Sequence, residues 1–277
     1  MLGLGSALTW MLMKPVERLA LTTEYNVPKG SKSSLKLPDG TIVWLNAGSK
    51  LTYTDDFNQN ERNVYLTGEA YFNVVTNKEK PFRVHTSELL IRALGTRFNV
   101  KAYPEERIIT TTLEEGIIDV QVLKKNENGV NRQIKIKPHE KLVFFKDGYA
   151  DSLSLPRPKE ELKKISFAVK NIRVESEVNT ELYTSWKSDK WIIEGLTLKC
   201  LAPMLERRYN INIHFNNDGL EQYKFSGILQ NETIEQIMDA LRYTAPLRYS
   251  IVKDSVYLKL DHSVKQNFER IITTRKE

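Results

Sequence analysis

Four histidines are the natural place to look for chemistry, because imidazole serves as metal ligand and as proton carrier near neutral pH. They are His85, His139, His214 and His262, and none has a second His, a Cys or a carboxylate at metal-ligand spacing. His85 and His214 fall in alternating runs, which makes each a strand histidine. The sequence contains no H-E-x-x-H, no C-x-x-C, no G-x-S-x-G elbow and no glycine-rich phosphate loop. Acidic pairs occur as Asp55-Asp56, Glu105-Glu106 and Glu114-Glu115. Neighbours on a strand point to opposite faces, which is poor geometry for a shared acid–base site. The stretch from Asp55 to Glu61 lacks the spacing of a calcium loop. The single cysteine, Cys200, forbids an intrachain disulfide, and its apolar, helix-patterned surroundings predict a buried thiol. Met204 and Met238 read as core filler, and Trp44, Trp186 and Trp191 as core packing. No pattern supplies an active site, so neither cofactor nor metal is expected, and function must lie in surfaces.

The 277 residues suffice for one large or two ordinary domains. A hydrophobic fraction of 40% and a charged fraction of 27% are ordinary for a globular chain. The formal charge of +6 comes from 41 basic and 35 acidic residues interleaved along the whole length. A nucleic-acid binder gathers its basic residues into a stripe, so no nucleic-acid partner is expected. Met1 to Met13 is uncharged and ends at Lys14-Pro15. That run is short of the roughly 20 apolar residues a membrane span needs. It also lacks the basic start and the cleavage site of a signal peptide. Three readings stay open: the end of a span that begins upstream, an unusual signal sequence, or a plain buried helix.

From Lys29 to Tyr149 short strands alternate with turn signals, such as Pro38-Asp39-Gly40 and Asn46-Ala47-Gly48-Ser49. No amphipathic helix interrupts them, which predicts a mainly β domain, a sandwich, a barrel or a β-helical stack. The pattern weakens after Asp151, where Pro156 and Pro158 flank charged residues, and Ile165 to Val178 is ambiguous. The last third changes period. Leu198, Leu201, Ala202, Leu205 and Tyr209 mark one helix that Asn210 can stop. A Thr233–Gln236 capping box opens a second, carried by Ile234, Ile237, Met238 and Leu241. With the strands around them these make two helix-plus-strand units, a small α+β domain. The expected layout is an N-terminal segment over 1–24, the β-rich domain over 25–150, a linker over 151–184, the α+β domain over 185–262 and a polar tail over 263–277.

Three stretches, LPDGTIVWLNAGSKLTY from Leu37 to Tyr53, NVYLTGEAYFNV from Asn63 to Val74, and KPFRVHT followed by ALGTRFNVKAY to Tyr103, resemble the FecR family of anti-sigma factors. The region from Trp186 to Leu260 is similar to the C-terminal domain often appended to these regulators. That domain in turn resembles the short N-terminal signalling domain of secretins and TonB-dependent receptors. The resemblance implies a periplasmic sensor anchored in the inner membrane by an N-terminal helix, where the family places the apolar run. It implies two partners: the signalling domain of a TonB-dependent outer-membrane transducer, and an ECF sigma factor held by an N-terminal segment that this sequence does not contain. Strand addition at an exposed edge points to Phe225, Gly227, Leu229, Tyr249 and Ile251 as partner-binding residues. Some family members cleave themselves at a Gly-Thr bond, which implies Gly95 and Thr96 here. The plain reading of that pair is a turn leading into a strand. The rival from another class is a carbohydrate-binding or carbohydrate-processing β-protein of the envelope. It needs exposed aromatics and paired carboxylates in one cleft.

Overall fold

The structure, a computed structural model, describes residues 21–59, 61–123, 133–146, 165–169, 171–216 and 219–265. The apolar run Met1–Met13 and most of the tail lie outside these residues. The alternating first part folds as β1 (Thr22–Val27), β2 (Ser33–Lys36), β3 (Ile42–Leu45), β4 (Ser49–Thr54), β5 (Arg62–Asn73), β6 (Phe82–His85) and β7 (Leu89–Ala93). It continues as β8 (Arg97–Ala102), β9 (Ile108–Glu115), β10 (Ile118–Val122), β11 (Gln133–Ile136) and β12 (Lys141–Phe145). β13 (Ile165–Val169) and β14 (Ile172–Glu175) complete it. All belong to one curled sheet. The stretch that the sequence assigns to a linker over 151–184 therefore contains two strands that extend this sheet, β14 pairing with β12.

β5 makes the curl. Its first half pairs with β4 on one side and β6 on the other. Its second half pairs with β3 and β8. The two halves meet at Gly68, whose φ is +106° and whose missing Cβ would lie 2.5 Å from Ser49 Oγ. Only glycine tolerates both the dihedral and that approach. The strand thereby switches neighbours and closes the sheet over a core that takes Val64, Leu66, Ala70 and Phe72 from its own inward face. Phe72 stacks on Phe98 with ring centroids 5.2 Å apart. Each such ring fully buried contributes roughly 1.5–3 kcal/mol. Arg62 is also buried, ion-paired to Asp39 at 2.9 Å and donating to the Lys80 and Val75 carbonyls.

A short helix, α1 (Glu181–Thr184), and a 3₁₀ turn (Ser185–Lys187) lead into the second domain. This comprises β15 (Trp191–Thr197), α2 (Leu198–Tyr209), β16 (Asn212–Phe215), β17 (Lys224–Leu229), α3 (Ile234–Thr244), β18 (Leu247–Val252) and β19 (Ser255–Leu260). The chain is thus a mainly β domain followed by a small α+β domain, as the sequence predicts. Asn210 ends α2 in the left-handed conformation, and Thr233 and Gln236 form the capping box of α3. β15 pairs with β17, and β19 lies between β16 and β18. Trp186 and Trp191 are buried as expected, while Trp44 is half-buried. Cys200 is a correction: the sequence predicts a buried thiol, but the residue is exposed. It lies about 200° around α2 from Leu198, on the side opposite the buried stripe.

Candidate functional site

The burial of β5 changes along its length. In the first half, inward residues are buried and outward Tyr65 and Thr67 are exposed; from Gly68 to Phe72 every residue is buried. Something covers the outer face of the second half. The covered face is a row in cross-strand register, Trp44, Tyr71, Asn99 and Thr112. The cover is the second domain, whose hydrophobic cluster includes Tyr71 with Trp44 packed against it. Trp44 meets Tyr71 edge to face, with centroids 5.5 Å apart.

Polar groups fix the seat at two points. At the first, the Trp186 indole N–H donates to Asn99 Oδ1 at 3.1 Å. Asn99 Nδ2 donates in turn to Glu69 Oε1 at 2.9 Å, and Asn46 Nδ2 donates to Glu69 Oε2 at 2.8 Å. Asn46 Oδ1 accepts from the Ala47 amide, so both side-chain amides are held with their N–H groups towards Glu69. Burial nonetheless pushes the Glu69 carboxyl above its ordinary pKa, against the pull of Lys101 and the two asparagines. At the second point, Arg207 of α2 meets Glu105 at 2.9 Å and Glu106 at 2.6 Å. Its guanidinium lies over the Tyr103 ring, 3.7 Å from the centroid. Burial lowers the Arg207 pKa, but Glu106, Tyr103 and Glu105 outweigh it and the net shift is upward. Two backbone acceptors complete the seat: the Gly30 amide donates to Arg207 O, and Lys32 Nζ to Trp186 O, each at 2.8 Å. Lys187 Nζ sits 3.7 Å above the Tyr71 ring, whose hydroxyl donates to Glu114. Burial lowers the Lys187 pKa and raises those of Tyr71 and Tyr103.

Sequence reasoning missed this seam. Glu105 and Glu106 were expected to diverge as strand neighbours, but they lie in the turn after β8 and converge on one guanidinium. The available signal was the run from Ala70 to Phe72, apolar on both faces of one strand.

The residues singled out for partner binding lie on two edge strands. Among the described residues β17 pairs only with β15, and β18 only with β19, so each leaves one backbone edge open. Phe225 points into the core, Gly227 is exposed, and Leu229, Tyr249 and Ile251 are half-buried. Tyr249 Oη donates to Asp239 Oδ1 on α3. The exposed apolar side chain on β17 is Ile228, which the sequence reading did not select. Gly95 and Thr96 sit where β7 turns into β8, away from these strands. A Cβ on Gly95 would fall 2.1 Å from Thr76 Oγ1, so close packing excludes any side chain there. Thr96 is buried, its carbonyl accepts from the Val74 amide, and its Oγ1 has no hydrogen-bond partner. His85 and His214 are strand residues, stacked on Tyr65 and Tyr257. Among the described residues no three His, Cys, Asp or Glu side chains gather as a metal site.

Two family models match the chain, one described as FecR protein over residues 23–119 and one as FecR, C-terminal over residues 190–258. The first contains Glu69, Asn99, Glu105 and Glu106, the second Arg207, and Trp186 lies between them. No curated protein matches. Two crystal structures of a candidate anti-sigma factor from Parabacteroides distasonis ATCC 8503, at 1.65 and 2.50 Å resolution, are similar over nearly the whole length. Each is 25% identical with a TM-score of 0.70; they cover 86% and 87% of this chain and 99% of their own.

Proposed function

This chain belongs to the FecR family of anti-sigma factors, and on that premise we propose that it is the periplasmic sensor part of a transmembrane regulator. It relays a signal from the signalling domain of a TonB-dependent outer-membrane transducer to an ECF sigma factor, by contact between proteins. The supporting observation is the order of the two matched models combined with the open strand edges of the second domain. An open edge accepts a partner strand through backbone hydrogen bonds, and neighbouring side chains add selectivity. Ser226, Gly227 and Ile228, exposed along β17, are better placed for this than Phe225, which holds the core. No helix among the described residues is long and apolar enough to cross a membrane. The inner-membrane anchor in this reading is assigned to the N-terminal run. The test is retention of transducer signalling domains on the immobilised full chain. Recovery of a TonB-dependent receptor, lost in Ile228→Asp, supports the relay; recovery of none counts against it.

A second, subordinate reading is self-cleavage at Gly95–Thr96, favoured by the buried hydroxyl of Thr96 that lacks a hydrogen-bond partner. The Oγ1 oxygen attacks the Gly95 carbonyl carbon and the Thr96 nitrogen leaves as the amine. Water then opens the ester to a Gly95 carboxylate and a free Thr96 hydroxyl. Two fragments on a denaturing gel, absent in Thr96→Ala, support it. A single intact band in both chains sinks it.

A further inference from the structure

We propose that the second domain is a reversible cover over the Trp44–Tyr71–Asn99 row, held shut by a latch made of Arg207 and Trp186. The reason lies in what each group on the β-domain side of the seam keeps when the cover leaves. Glu106 keeps Lys101, whose Nζ is 2.9 Å from Oε2, while Arg207 uses Oε1. Asn99 keeps its bond to Glu69, Tyr71 its bond to Glu114, and Tyr103 its hydroxyl bond to the Ala47 carbonyl. A buried charge stripped of its partner is costly, and that cost is what makes most buried ion pairs permanent. Here it is avoided: the buried and half-buried groups Glu106, Asn99, Tyr71 and Tyr103 keep partners within their own domain, while Glu105, Lys32 and the Gly30 amide, which bond across the seam, are exposed and pass to water. On the other side, Arg207 and the Trp186 indole pass into water when the cover lifts, and water satisfies both. The remaining cohesion is an apolar contact, chiefly Trp44 and Tyr71 against the second domain's cluster, with Lys187 over the Tyr71 ring and the exposed Lys32 and Gly30 hydrogen bonds at its rim. A seam that mixes a modest apolar patch with ion pairs has the character of an interface between movable domains.

Opening has a direct consequence. It uncovers Trp44 and Tyr71 side by side in register, with Asn99 beside them, on the outer face of the curled sheet. The latch residues are therefore positioning residues. They set which of two surfaces the chain presents, the closed outer face of the second domain or the aromatic row beneath it. The latch stands on the seam alone, so failure of the relay reading leaves it untouched.

Cys200 makes the test convenient, since it is exposed on the same helix as Arg207 and is the only cysteine in the sequence. A second cysteine at exposed Thr67 on β5 allows spin labels on both domains of the full chain. The otherwise native chain is expected to give one narrow distance. Arg207→Glu, which sets a carboxylate against Glu105 and Glu106, is expected to add a second, longer and broader population. Trp186→Phe keeps most of the packing but loses the indole hydrogen bond, and the open fraction is expected to rise about fivefold to tenfold. A single unshifted distance in both variants, with native circular dichroism, overturns the latch. A broad distribution in the otherwise native chain overturns it as well. If Arg207→Glu fails to fold, Trp186→Phe decides alone.

Discussion

Burial raises the pKa of Glu69 above the usual 4.5, while Lys101 and the side-chain amides of Asn99 and Asn46 pull it down. Glu106, in the same domain, raises it further, and Tyr103, held neutral by burial, adds no charge. Since the net shift is upward, the sign of its contribution follows. The stability this group supplies is fully present below pH 4.5 and is lost as pH rises through the folded value. The advantage of the native chain over Glu69→Gln, measured by denaturant unfolding, is therefore expected to be largest in acid and to shrink towards neutrality. An advantage that grows with pH would mean that Lys101 and the asparagines outweigh desolvation. None of these residues was legible in the sequence, because a lone Glu at an outward strand position reads as solvated surface. Cys200 failed for the converse reason, since apolar neighbours in sequence are not neighbours on a helix face. The strand histidines and the buried Trp186 and Trp191 were legible, because alternation and size alone decide them.

Helix termini and turns are where local chemistry dictates structure most directly, and the second domain shows it. Thr233 accepts from the Gln236 amide while the Gln236 side chain accepts from the Thr233 amide. Thr233→Ala is expected to destabilise the second domain by about 1 kcal/mol, the usual value of an N-cap, with little effect on the first. Chemical denaturation followed by domain-resolved hydrogen exchange checks this; an equal loss in both domains would show that the cap does not act locally. The end of α2 at Asn210 and the start of α3 at Thr233 were readable from period and caps. The length of β5 was not. Its residues divide between two sets of partners, and no periodicity announces that a strand changes neighbours at Gly68. Nor did β14 announce itself: its pairing is with β12, across a segment whose sequence carries no strand signal, so only long-range register assigns it to the first sheet.

At the scale of the whole molecule the two domains share a boundary that sequence patterns do not describe. A period of two reports which side of a strand faces a core, and it cannot say that a second body covers the other side. Where both sides are buried the run reads as continuous, as Ala70 to Phe72 does, with Trp44 in register beside Tyr71, and as Leu142 to Phe145 does on β12. The physical consequence is a cross-domain effect. Trp44 belongs to β3 of the first domain, yet it is half-buried against the cluster of the second. Its removal leaves the inward core of the curled sheet intact, since Val43 and Leu45, not Trp44, face it. Trp44→Ala is thus expected to cost about 1–3 kcal/mol, below the full 3–5 for a completely buried aromatic. The loss should fall on the second domain and on its docking. Domain-resolved hydrogen exchange reads this directly: protection should fall in α1 and β15, while β6, β7 and β10 keep theirs. If protection falls only within the curled sheet, the aromatic row supports its own domain and not the cover. If it falls in the second domain alone, the energy that seats the cover comes in part from a residue more than 140 positions upstream. The two matched families would then be one mechanical unit in this chain.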